Sequence, residues 1–223
     1  WVQFKLGRNA GVKINQIQAS AENAGTGVKL NGSPVLFQVT GTSTNATQIA
    51  LVDGGEQSGV VGQHLPRDIQ VKAMDIYNNA VKGQPIRFRI LPEDTLQTEG
   101  IGALGTSAAI DTSVNTDNKG IAAIKWRMGH QVGPFVLQAT SFGDGHLTNS
   151  PMQINAQALA DRTNSDSSLV EITPSQVVVS NGDNRATVIV ILRDQFANPV
   201  SGKAVSIIVS GDGNLITQPT DAT

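Results

Sequence analysis

The amino-acid sequence predicts an all-β protein built from tandem β-sandwich units. Apolar residues recur at every second position in several segments, as at Ile86, Phe88 and Ile90, and this is the spacing of a strand with one buried face. Turns rich in glycine and asparagine separate these segments. The chain also repeats itself: the segment that begins at Asp75 returns at Asp194, 119 residues later. A repeat of this length indicates an array of similar units.

Individual strands follow from this alternation. The segments 69–73, 86–90 and 122–128 each place apolar side chains on one parity and polar ones on the other, and the segment 186–192 is apolar on nearly both, which favours a central strand. Trp126 lies between Lys125 and Arg127 in the third segment, so we predict a core residue rather than a sugar-binding platform. Hairpin-type turns are predicted at Asp117–Gly120 and Asn181–Asn184.

Shorter repeats support the same period and divide the chain. Phe4-Lys-Leu-Gly7 returns as Trp126-Arg-Met-Gly129, and Ser33-Pro34 returns as Ser150-Pro151. We therefore predict three units: residues 1–41 are the C-terminal part of one repeat, residues 42–160 are a complete repeat, and residues 161–223 are the N-terminal part of a further repeat.

Two polar stretches occupy matching places between these units. Thr42–Thr47 and Ala160–Ser168 are rich in serine, threonine and asparagine, and we interpret both as inter-domain linkers. Because they are short, neighbouring units cannot separate far. The sequence therefore predicts a semi-rigid array whose stiffness is set by the linkers.

Composition excludes several classes of function. The net charge is −2 with no basic block, which argues against nucleic acid and anionic membranes as partners. No apolar run reaches the ~18 residues of a membrane span, and the absence of cysteine excludes disulfide and thiolate chemistry. The chain opens at Trp1 without an initiator methionine, so we expect a piece of a longer protein.

No residue pattern predicts catalysis or a cofactor. The three histidines, His64, His130 and His146, fall in different predicted loops, and only His146 has an acid close by, Asp144. No serine stands in a G-x-S-x-G elbow. The glycine-rich loop 100–105 lacks the lysine and the helix that a phosphate site needs. We therefore predict that the protein is not an enzyme.

Calcium is the one metal that the sequence leaves open. Calcium takes six to eight oxygen ligands, and acids stand in the long loop 91–105 at Glu93 and Asp94, at Asp144, and in the second linker at Asp161 and Asp166. The first linker has no carboxylate, whereas a clamp used along the array would repeat with the unit. Solvated turn carboxylates are therefore the favoured interpretation, with a calcium site at Asp161 and Asp166 as the alternative.

The repeated motif resembles a known family. Asp194-Gln-Phe-Ala-Asn-Pro-Val-Ser-Gly-Lys-Ala-Val205 is similar to the D-x-[FY]-G-N-P-V-x-G-x-x-V motif of bacterial immunoglobulin-like repeats of the invasin and intimin type. The segments 55–66 and 116–122 add to the likeness. The middle unit departs from the family at Asn78-Asn79-Ala80, and the third unit has Ala197 in place of glycine. The resemblance implies tandem immunoglobulin-like β-sandwich domains displayed outside a bacterial cell or on its surface.

The residues of the motif also suggest local roles. We expect Tyr77 and Phe196 to leave the end of a strand and cap their own sandwich. Asn79 and Asn198 are expected to bend the chain, after which the apolar residues return to the core.

Three functions are compatible with these features. The first is a stalk or spacer that presents an adhesive region, with neighbouring repeats of the same chain as its partners. The second is a binding module that contacts a host or bacterial surface protein or a glycan through end loops. The loops in question are 91–105, eight residues longer than its counterpart in the third unit, and 142–146. The third is an accessory domain of a secreted enzyme or surface appendage.

Overall fold

The computed structural model describes residues 2–92, 100–143, 145, 147–177 and 184–218. Within these ranges the regular elements are strands, and none of the described residues belongs to a helix able to cross a membrane. The described strands are, in chain order, β1 (Gly11–Ala19), β2 (Val35–Gly41), β3 (Gln48–Asp53), β4 (Gln57–Val60), β5 (Ile69–Met74), β6 (Pro85–Leu91), β7 (Ala103–Leu104), β8 (Asp111–Asn115), β9 (Ile121–Ile124), β10 (Trp126–Arg127), β11 (Gly133–Thr140), β12 (Met152–Leu159), β13 (Leu169–Thr173) and β14 (Thr187–Ile191).

Strands β3 to β12 form a central β-sandwich. A five-stranded sheet has the order β4-β12-β11-β6-β8, and a three-stranded sheet has the order β3-β5-β9, while β7 and β10 form a short ribbon. Every pairing is antiparallel except β4 with β12. The buried apolar side chains of the two sheets form one cluster between them. The prediction of an all-β sandwich fold is confirmed.

The predicted alternation is also confirmed. Ile86, Phe88 and Ile90 are fully buried, whereas Arg87 points to solvent and pairs with Asp111 of the neighbouring strand. Strand β5 alternates in the same way, and the buried Trp126 belongs to the core. The run 122–128 keeps its alternation but is divided between two elements, because β9 pairs with β5 and β10 pairs with β7.

The internal repeat reappears in the strand pairing. β1 and β2 form an antiparallel hairpin in which Ala19 faces Val35, and the equivalent strands β11 and β12 place Ala139 opposite Met152. A second hairpin, β13–β14, follows the central sandwich. The boundaries at residues 42 and 161 stay a prediction, although every sheet joins strands from within one predicted unit.

Two of the local predictions have different outcomes. A turn forms at Asp117–Gly120, where the Asp117 carboxylate accepts the N–H groups of Lys119 and Ile121 and Gly120 has a positive φ. The hairpin expected there is wrong, because β8 pairs with β6 and β9 pairs with β5, so the turn joins strands of two different sheets. In the segment 186–192, β14 pairs with β13 alone among the described residues, so it is not a central strand there. Of the second predicted turn, 181–183 lie outside the described residues.

Candidate functional site

The motif that begins at Asp75 forms a turn directly after β5. The backbone N–H of Asp75 bonds to the carbonyl of Asn79, and the N–H of Asn78 bonds to the carbonyl of Asp75. The Asp75 side chain is fully buried, and its Oδ1 accepts the N–H groups of Tyr77 and Asn79, both at 2.9 Å. The carboxylate therefore holds the turn from within.

The same turn recurs after β14. Asp194 is fully buried, and its Oδ1 accepts the N–H groups of Phe196 at 2.8 Å and of Asn198 at 3.0 Å. The N–H of Ala197 bonds to the carbonyl of Asp194, as Asn78 does in the first copy. The repeat is thus conserved down to individual hydrogen bonds.

The turn requires one residue in the left-handed region. Asn78 has φ 64° and Ala197 has φ 65°, and these are the positions at which the resembled family has glycine. Asparagine visits this region more readily than other side chains, whereas alanine is strained there by roughly 1–2 kcal/mol. The departures from the family motif therefore retain the backbone conformation that glycine would adopt.

The second oxygen of each aspartate holds the predicted linker. Asp75 Oδ2 accepts the N–H of Thr44 at 3.1 Å, and Asp194 Oδ2 accepts the N–H of Asp161 at 3.1 Å. Both predicted linkers are therefore attached to the predicted unit that follows them, where a unit is one of the three predicted units. The residues between the end of the preceding strand and this attachment are only 42–43 in the first case and Ala160 in the second.

Both aspartates remain ionised although they are buried. Burial by itself raises the pKa of Asp75 and of Asp194, but hydrogen bonds from the asparagine side chain and from backbone N–H groups outweigh it, and each pKa is lowered. The negative charge strengthens the hydrogen bonds that it accepts from the turn and the linker.

The asparagine of each turn contacts the preceding unit. Asn79 donates from Nδ2 to the carbonyl of Arg8 at 2.8 Å, and its Oδ1 accepts the N–H of Ala10 at 2.8 Å. Asn198 donates to the carbonyl of His130 at 2.7 Å and accepts the N–H of Val132 at 3.2 Å. The asparagine therefore makes a two-point attachment to a turn of the preceding unit.

A ring contact accompanies each attachment. The guanidinium carbon of Arg8 lies 5.4 Å from the centroid of the Tyr77 ring, and the rings of His130 and Phe196 stack with centroids 4.1 Å apart. Phe196 also packs against the core of the central sandwich, which belongs to the preceding unit. The expectation that this ring caps its own sandwich is therefore wrong: the turn projects past the end of its strand and carries the ring onto the neighbour.

We call this arrangement the joint. Each joint consists of an aspartate that holds turn and linker, an asparagine that holds the preceding unit, and a ring that packs beneath a side chain of that unit. The first joint contains Asp75, Tyr77 and Asn79, and the second contains Asp194, Phe196 and Asn198.

Among the described residues, those weighed for catalysis or metal binding lie in different places. His64 forms a β-bridge with Arg127, and His130 is in the second joint. Asp161 accepts a bond from Gln195, and Asp166 accepts one from its neighbour Ser165. The described residues contain no group of three or more His, Cys, Asp or Glu side chains able to hold a metal ion. Residues 93, 94, 144 and 146, also weighed above, lie outside the described residues.

The joint was not predicted from sequence, although a signal for it exists. Not only the motif repeats, but also the segment that it contacts: Gly7 to Gly11 in one unit corresponds to Gly129 to Gly133 in the next. Two elements that recur together, one in the first half of a unit and one in the second half, are the pattern expected of a contact between consecutive units.

The chain is similar to solved structures at low sequence identity. No family model and no curated protein matches the chain. Among solved structures, invasin, described as a bacterial integrin-binding protein, is 17% identical with a TM-score of 0.34, over 78% of this chain and 31% of that one. InvD of Yersinia pseudotuberculosis is 16% identical with a TM-score of 0.42, over 84% of this chain and 52% of that one. The chain thus spans about a third and about half of their lengths, and the contacts described above stand independently of both likenesses.

Proposed function

We propose that this chain is a non-catalytic, stalk-like segment of a bacterial surface or secreted protein that holds an adhesive or interaction region at a distance. The observation that carries this proposal is the joint, which occurs twice with the same hydrogen bonds. A spacer needs each unit to keep its orientation relative to the next, and the joint provides a physical means of doing so.

The joint restrains orientation because its contacts are separated in space and differ in kind. Two hydrogen bonds from one carboxamide resist rotation about either of them, and the ring contact lies at a different point of the interface. A free linker of two residues spans at most about 7 Å, so the units cannot move apart without breaking these contacts. A low proportion of charged residues, 15%, and the motif resemblance support placement outside the cell.

Distances between spin labels test the proposal. The chain has no cysteine, so spin labels can be attached to pairs of introduced cysteines. One pair replaces the exposed residues Gln38 and Arg89, which flank the first joint, and the other replaces Arg89 and Glu171, which flank the second. We expect a narrow distance distribution for each pair in the native sequence. Asn79→Ala should broaden the first distribution and leave the second unchanged.

Asn118→Ala is the matched control, because it makes the same substitution at an exposed asparagine in a turn of the central unit. It should leave both distributions narrow. Broad distributions in the native chain, or a distribution that stays narrow after Asn79→Ala, would contradict a joint that fixes orientation.

A second candidate function is supported by one exposed ring. Phe142 is 65% exposed, and its backbone carbonyl accepts a hydrogen bond from Gln84 Nε2 at 2.7 Å, so the backbone that carries the ring is anchored at this residue. An exposed aromatic ring is typical of contact surfaces. If this loop binds a protein or glycan, binding to host cells should fall with Phe142→Ala, while the unfolding transition stays unchanged.

A further inference from the structure

The preceding unit is contacted through its backbone at both joints. Asn79 bonds the carbonyl of Arg8 and the N–H of Ala10, and Asn198 bonds the carbonyl of His130 and the N–H of Val132. The contacted groups are two residues apart in each case. The side chains at these positions have little in common: arginine corresponds to histidine, and alanine to valine.

Asparagine suits this contact because its carboxamide has both a donor and an acceptor, as a peptide group has. An aspartate would offer acceptors only. The second amide hydrogen is used within the joint, since Nδ2 of Asn79 also lies 3.0 Å from Asp75 Oδ2, and Nδ2 of Asn198 lies 3.0 Å from Asp194 Oδ2. The aspartate therefore fixes which end of the carboxamide donates toward the preceding unit.

From this geometry we infer that the face carrying the D-x-[FY]-x-N motif is a receptor for a backbone turn. That turn is the G-x-x-x-G segment at residues 7–11 and 129–133, and the face accepts it whatever its three central side chains are. The partner that this face fits is any unit presenting such a turn. The inference rests on the proposed function and extends it, because units that are joined through backbone atoms can follow one another in any order.

The ring contact is the variable part of the joint. A cation lies over Tyr77 in the first joint, whereas an imidazole stacks on Phe196 in the second. The two pairs differ in chemistry while the hydrogen bonds are the same. The ring contact therefore adjusts the strength of a joint, and the asparagine carboxamide determines which backbone geometry the face binds.

A variant in which the two contacted turns are swapped within the full chain tests the inference. One variant replaces Arg8-Asn9-Ala10 by His-Gln-Val and His130-Gln131-Val132 by Arg-Asn-Ala, so each face meets the other turn. The readout is hydrogen exchange at the N–H groups of positions 10 and 132, which bond the asparagine Oδ1. We expect both protection factors, which correct each rate for the intrinsic exchange of the residue present, to stay within about threefold of the native values, a change under ~1 kcal/mol.

Asn79→Ala and Asn198→Ala provide the reference rates, because they show how fast the N–H groups of positions 10 and 132 exchange when the turn has lost its asparagine partner. If exchange in the swapped chain rises above that threefold limit, the inference is overturned, because the side chains of the turn are then being read. The single substitutions Ala10→Val and Val132→Ala repeat the test with minimal change and apply if the sixfold variant fails to fold. His130→Ala, which removes the stacked ring but keeps the carbonyl, should raise exchange at Val132 less than Asn198→Ala does; an equal or larger rise would also overturn it.

The two proposals fail in different ways. If spin-label distances are unchanged by Asn79→Ala, the orienting joint fails whatever the exchanged turns do. If the distance distributions broaden with Asn79→Ala, but the N–H groups of positions 10 and 132 exchange faster in the swapped chain, the orienting joint stands. Only the inference that the face recognises backbone atoms then fails.

Discussion

Removal of one carboxamide should open one joint and leave the other closed. In Asn198→Ala, the carbonyl of His130 and the N–H of Val132 lose their partner across the interface. A neutral hydrogen bond contributes about 0.5–1.5 kcal/mol, so the two together contribute about 2 kcal/mol. This is equivalent to a roughly 30-fold larger population of the open joint.

Hydrogen exchange observed by NMR measures this population residue by residue. The Val132 N–H should exchange about 30 times faster in Asn198→Ala than in the native chain, if exchange follows opening of the joint. The Ala10 N–H makes the equivalent contact to Asn79, and its rate should not change. Asn79→Ala should give the reverse pattern.

Two outcomes would contradict this assignment of the hydrogen bonds. Unchanged exchange at Val132 in Asn198→Ala would mean that the carboxamide does not hold this turn in solution. Faster exchange at both Val132 and Ala10 would mean that the substitution destabilises the chain generally, and the assignment of the bonds to separate joints would be wrong.

Four further predictions follow from burial, backbone conformation, charge and ligand chemistry. Gly62→Ala should loosen the second joint and speed hydrogen exchange in it, because the new Cβ would lie 3.1 Å from the ring of Phe196. Gly83→Ala is the control, since Gly83 has a similar positive φ but open space around it, and it should leave the joint unchanged. Equal effects of the two substitutions on the joint would refute the contact with Phe196. Phe88→Ala should cost about 3–5 kcal/mol in the free energy of unfolding, while substitution of the neighbouring exposed arginine should change it little, and urea titration separates the two. Because the pKa of both joint aspartates is lowered, the stabilisation that they give is present above the ordinary aspartate pKa, about 4, and is lost as pH falls below it. The distributions of spin-label distances across both joints should therefore broaden on acidification. Asp194→Asn should remove that response from the second joint. Small-angle scattering should give the same maximum dimension in calcium and in chelator, and a large loss of extension on chelation would establish the two carboxylates of the second linker as calcium ligands.

Much of the central sandwich could be predicted from sequence. The two-residue period of 86–90 identifies Phe88 as buried because a pleated strand sends alternate side chains to opposite faces. The repeat predicts equivalent hairpins because similar sequences form similar local structure, and β1–β2 and β11–β12 share their register. The apolar run 186–192 shows the limit of this reasoning, since apolar character on both faces does not provide neighbours on both sides.

The alternating strands of the central sandwich, the turn at Asp117–Gly120 and the repeat period follow from local sequence, because these depend on alternation, on residues that tolerate positive φ, and on similarity between segments. The contacts of the joint are decided by tertiary structure, because segments that recur together indicate that two regions meet but not which atoms bond. Asn79 and Arg8 are 71 residues apart in the chain, and Asn198 and His130 are 68 apart. Nothing in the local pattern around an asparagine indicates whether its carboxamide closes its own turn or bonds a distant backbone. These contacts become visible only in the folded chain, in which Asp75 and Asp194 orient the carboxamides toward the preceding predicted unit.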